Sequence, residues 1–74
     1  MQQQQLPINQ DNIKGSRQLY NEVLGRFRIK GTSFSKYVEG QGLRKQNARK
    51  IMLGDTNGIK ARQWRQKIVE EARK

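Results

Sequence analysis

Residues 33–54 read SFSKYVEGQGLRKQNARKIMLG, and the order of residue types within them decides the fold class. Phe34, Tyr37 and Val38 fall at the three- and four-residue spacing of a helix that buries one face. Thr32 or Ser33 stands ahead of them, placed to cap the free amides of a first turn. Gly40 and Gly42 stop that helix. Leu43 opens a further segment in which Ala48, Ile51 and Met52 share a face, and Gly54 ends it before the turn-forming DTNG of residues 55–58. The chain must reverse at Gly42, where a residue tolerant of positive φ is needed. Two short helices joined by a tight glycine-containing turn describe a helix-turn-helix, with Leu43 filling the space between them and Val38 crossing Ala48.

The flanking sequence supplies helices for this pair to pack against. From Ser16, a potential cap, Leu19, Val23 and Phe27 recur every four residues with Tyr20 and Leu24 beside them, which predicts a helix ending near Lys30 and Gly31. Gly25 weakens its last turn by roughly 1 kcal/mol relative to alanine. RFRIK, residues 26–30, alternates as a strand would, but no second strand is available to pair with it. A last helix over about residues 60–73 directs Ala61, Trp64, Ile68 and Ala72 inward, so Trp64 is expected in the core rather than stacked on a base. No internal repeat is present. The expected fold is all-α, a compact four- to five-helix bundle over residues 16–74. Residues 1–15, rich in glutamine and asparagine and holding the only proline, are expected to form a flexible N-terminal arm.

Composition narrows the function. Seventy-four residues allow one domain with a small core, and the absence of cysteine removes disulfides and thiolate–zinc sites as supports. No apolar run approaches a membrane span, and MQQQQLPINQ does not read as a signal peptide, so a soluble cytoplasmic protein is expected. Sixteen Lys and Arg against six Asp and Glu leave a formal charge of +10. Asp11 and Lys14 cancel within residues 1–15, so the whole excess lies on residues 16–74. Such a charge opposes folding until a polyanion relieves it, which favours nucleic acid over an acidic membrane surface or protein. Catalysis is disfavoured: histidine and cysteine are absent, the carboxylates are not paired, and no glycine-rich stretch continues into Gly-Lys-Ser/Thr. No cofactor, metal or small-molecule ligand is expected.

The turn, its apolar spacing and the basic outer face resemble the helix-turn-helix of phage-repressor-like proteins, the lambda repressor/Cro superfamily, and especially small phage regulators of the Ner type. The resemblance covers about residues 17–72 and is clearest over residues 33–54. It implies that the segment opened by Leu43 is a recognition helix for the DNA major groove. Two positions depart from the family pattern. Val38 and Ala48 invert its usual small–large pair at the crossing, which conserves total volume. Arg44 stands where the family often caps with serine or threonine, which costs about 1 kcal/mol until a phosphate arrives.

Within that frame Lys45, Gln46, Asn47, Arg49 and Lys50 are candidates for base edges, since Gln and Asn suit adenine while Arg and Lys suit guanine. Ser33, Ser35, Lys36, Arg44, Lys60 and Arg62 are candidates for the phosphate backbone. A solvated face on an ordinary helical corner is the competing reading of the same residues. The expected function is sequence-specific binding of double-stranded DNA by a phage or mobile-element regulator acting through operator occupancy, with a weak homodimer on a pseudo-palindromic site. An excisionase-like architectural factor and a basic RNA-binding module are the alternatives. RNA ranks lower because the aromatic residues fall on inner faces.

Overall fold

The computed structural model describes residues 13–74. Residues 1–12, the greater part of the expected arm, lie outside them. The described chain forms α1 (Arg17–Ile29), α2 (Phe34–Gly40), α3 (Lys45–Leu53) and α4 (Ile59–Arg73), with no strand among the described residues. The all-helical class is thus as expected, and RFRIK continues α1. α1 packs on each of the other three helices, and α3 lies against both α2 and α4.

Local chemistry accounts for most of the boundaries of α1, α2 and α3. The Ser16 hydroxyl accepts from the Leu19 amide at 3.0 Å, and the Ser33 hydroxyl from the Lys36 amide at 3.1 Å. Each side chain thereby satisfies a first-turn donor that has no partner within its helix. α2 ends on a Schellman motif. The Leu43 amide reaches back to the Val38 carbonyl at 2.9 Å and the Gly42 amide to Glu39 at 3.0 Å. That closure requires φ of +88° at Gly42, a conformation a Cβ would strain although the space beside it is open. α1 and α3 close in the same way, through amide bonds from Thr32 to Phe27 and from Asp55 to Lys50.

One apolar cluster fills the centre: Leu19, Val23 and Phe27 from α1, Phe34 and Val38 from α2, Ala48, Ile51 and Met52 from α3, and Ala61, Ile68, Val69 and Ala72 from α4. Val38 and Ala48 are both fully buried. An aromatic row runs through the α1–α2 contact, from Tyr37 stacked on Phe27 at 5.0 Å, through Phe34, to Tyr20 edge-on at 5.6 Å. Trp64 departs from expectation. It is half-buried at the rim of the cluster, while Val69 and Arg65 occupy the inner face of α4.

Arg65 is 2% exposed and has no carboxylate partner among the described residues. Its guanidinium donates to four oxygens: Ile51 O at 2.9 Å, Ile13 O at 3.1 Å, Thr56 O at 3.0 Å and Asn57 Oδ1 at 2.8 Å. Burial, with repulsion from Arg62 second, pushes its pKa down, yet a guanidinium stays protonated. The charge is tolerated because carbonyls replace its water and because it sits at the negative C-terminal end of α3. Beside it, the Ser16 amide donates to Met52 O at 2.9 Å. Gly15 lies so close to Gly54 that an added Cβ would fall 2.3 Å from the Gly54 nitrogen. Residues 13–15, part of the expected arm, are therefore seated on the C-terminal end of α3.

Candidate nucleic-acid interface

α3 presents its polar side outward because Ala48, Ile51 and Met52 fix its inner side. With about 100° between successive residues, Gln46 stands opposite that buried stripe, flanked by Arg49, Lys50 and Leu53. Lys45 and Asn47 lie toward the two margins. Lys45, Gln46, Asn47, Arg49 and Lys50 are all exposed, as is Arg44 ahead of them. Leu53, half-buried on this outward side, belongs to neither candidate set.

The two ends of α3 are built differently. At the C-terminal end, Lys50 O accepts from Gly54 and Asp55, Ile51 O from Gly54 and Arg65, and Met52 O from Ser16. The N-terminal end has no such closure. Arg44, extended at φ −68° and ψ 144°, offers no side-chain cap, and the first turn holds no acidic residue. The amides there remain open to an anion, supported by the helix dipole and the cations of Arg44 and Lys45.

Two grooves flank the exposed side of α3. On one side Lys45 shares a groove with Ser33, Ser35, Tyr20, Arg28 and Thr32. Above it the Arg49 guanidinium carbon stands 5.9 Å from the centre of the Tyr20 ring. On the other side Asn47 and Lys50 share a groove with Leu43, Thr56, Lys60 and Trp64. Among the backbone candidates, three line neither groove. Lys36 and Arg44 are exposed outside both grooves, and Arg62 lies beside Lys14 and Asn57 near Gly54. Arg62 and Lys60 thus line different grooves. Arg28 was missed in the sequence because it sits within the alternating RFRIK segment, where nothing local ties it to Ser33, Ser35 or Lys45.

Charge is segregated across the molecule. The ion pairs among the described residues join Glu22 to Arg26 at 2.7 Å and to Arg73 at 2.9 Å, and Lys74 to Glu71 at 3.2 Å. The Lys30 ammonium donates to the Glu71 carbonyl on the same side. Glu22–Arg73 and Lys30–Glu71 join α1 to the C-terminal end of α4, and the other two pairs lie within one or the other of these segments. The hydrogen bond from Arg73, opposed by partial burial and reinforced by Arg26, holds the Glu22 carboxyl at about 2, against an ordinary 4.5. Among the described residues no ion pair involves Arg28, Lys36, Arg44, Lys45, Arg49, Lys50, Lys60 or Arg62.

Among the described residues no cluster of His, Cys, Asp and Glu could hold a metal ion, and no helix is long and apolar enough to cross a membrane. No family model, curated protein or solved structure matches the chain.

Proposed function

We propose that this chain is a sequence-specific double-stranded DNA-binding regulator of the phage or mobile-element repressor type. In this reading α2 and α3 form a helix-turn-helix, and α3 enters the major groove. The observation that carries it is the exposed side of α3, where Lys45, Gln46, Asn47, Arg49 and Lys50 stand together without an acidic partner among the described residues. Long polar side chains on a rigid helix can reach base edges, and a basic rim can neutralise phosphates. The tied C-terminal end of α3 supports the same reading, since a reading helix must hold its orientation. Regulation would follow from occupancy of an operator. A single helix reads few base pairs, so two copies on a pseudo-palindrome, associating weakly until DNA aligns them, would supply selectivity.

Selection from a random-core duplex pool, followed by titration on the selected site, single-base variants and a scrambled duplex, tests this. Affinity should fall with salt by roughly 0.9 log units per log unit for each phosphate contact. Arg49→Ala and Gln46→Ala should each cost about 1–3 kcal/mol on the selected site and relax preference at particular positions. Lys60→Ala should weaken all duplexes alike and lower the salt slope by about one. A salt slope near zero, or no consensus in the pool, refutes the reading.

A further inference from the structure

The aromatic row of the core does not stop at the core. From Tyr37 and Phe27 it passes through Phe34 to Tyr20, and from Tyr20 to the guanidinium of Arg49. Phe34 is 2% exposed and holds Tyr20 edge-on, ring planes 81° apart, so the Tyr20 ring is set by packing rather than by solvent. Arg49 is exposed and makes no ion pair among the described residues, and its guanidinium carbon stands 5.9 Å from the centre of that ring.

We propose that Tyr20, a residue of α1, is a positioning residue that sets sequence preference by holding Arg49 ready to read a base. The inference rests on the DNA-binding reading above and deepens it. A guanidinium meets an aromatic ring through its π-face, whereas it donates hydrogen bonds through its in-plane edges. Contact with Tyr20 therefore leaves the N–H fork free for a guanine edge. An arginine held in advance loses less conformational freedom on binding than one that must be ordered by the base. A pre-set fork also penalises wrong bases, because the side chain cannot swing to a phosphate without leaving the ring. Lysine at position 49 would keep the charge and lose both the planar fork and the stacking face.

The test uses the full chain and the duplex that it selects from a random-core pool, together with all single-base variants of that duplex. The proteins are wild type, Tyr20→Leu, Tyr20→Phe, Arg49→Ala and Tyr20→Leu/Arg49→Ala. Tyr20→Leu should reduce discrimination about two- to fivefold at the base pair where Arg49→Ala relaxes it, and leave other positions unchanged. In the Arg49→Ala background the same substitution should have no further effect on discrimination, and Tyr20→Phe, which keeps the ring, should retain the wild-type profile. A readout independent of DNA is the ring-current displacement of the Arg49 side-chain proton signals, present in the wild type and Tyr20→Phe and lost in Tyr20→Leu. The inference is overturned if Tyr20→Leu lowers affinity evenly on every duplex, adds to the loss in Arg49→Ala, or leaves the Arg49 signals where they were. A pool without consensus removes the DNA reading and this inference together. A consensus that Arg49→Ala relaxes and Tyr20→Leu does not removes this inference alone.

Discussion

Replacing Arg65 by methionine removes the guanidinium while keeping much of the apolar stem. Four hydrogen bonds disappear, to Ile51 O, Ile13 O, Thr56 O and Asn57 Oδ1. Bonds from a charged donor contribute about 1.5–3 kcal/mol each when measured singly, but their sum overstates the loss. Burying the cation costs several kcal/mol, which methionine avoids, and one positive charge leaves a chain of +10. Ile51 O keeps the Gly54 amide at 3.3 Å, and Thr56 is exposed enough for water to replace its donor. What remains is the unseating of Ile13 and the loosened loop at Asn57, a net cost of about 2–4 kcal/mol. For a domain of this size that lowers the melting temperature by roughly 10–30 °C. Arg65→Lys should lose nearly as much, because one ammonium cannot span oxygens that a planar fork bridges. Thermal unfolding by circular dichroism measures the cost. Amide exchange at Ser16, whose N–H bonds Met52 O, reports whether the N-terminal segment has come away. A variant that melts within about 2 °C of the parent and keeps Ser16 protected refutes the clasp.

Gly42→Val should destabilise by about 2 kcal/mol through backbone strain at φ +88°, whereas Gly40→Ala, at the end of α2 with open space around it, should be neutral or slightly stabilising; urea unfolding of the pair decides this. Gly15→Ala should cost about 1–3 kcal/mol by forcing Gly15 off the backbone of Gly54, and its signature is lost Ser16 protection with the α1 and α4 amides still slow. The Glu22 carboxyl is held at about 2, so its bridge to Arg73 and Arg26 is fully present above the unfolded value of 4.5 and is lost as pH falls toward 2. Half-exposed arginines limit that contribution to about 1 kcal/mol; the wild type should lose its stability advantage over Glu22→Gln across this window, and a constant difference down to pH 2 refutes the assignment.

The sequence alone determined the number and approximate bounds of the helices and most of the apolar residues they bury, Trp64 and Val69 of α4 excepted. The physical reason is range. The Ser16 and Ser33 caps reach three residues, and the closures at Gly42 and Gly54 reach five at most, so every atom involved lies within a short reading window. Helical spacing likewise identified the exposed side of α3, because Ala48, Ile51 and Met52 leave Gln46 only one direction to face. Only the tertiary structure decided what holds α3 and which cations gather beside it. Arg65 falls on the same stripe as Ala61 and Ile68, but charge argued for exposure. Its partners include carbonyls 14 and 52 residues away, invisible to any local pattern. The Gly15–Gly54 contact, the Tyr20 ring beneath Arg49 and the gathering of ion pairs around Glu22 arise in the same way. Each depends on the packing of α1 against α3 and α4, and so on surfaces that meet only when the core has formed.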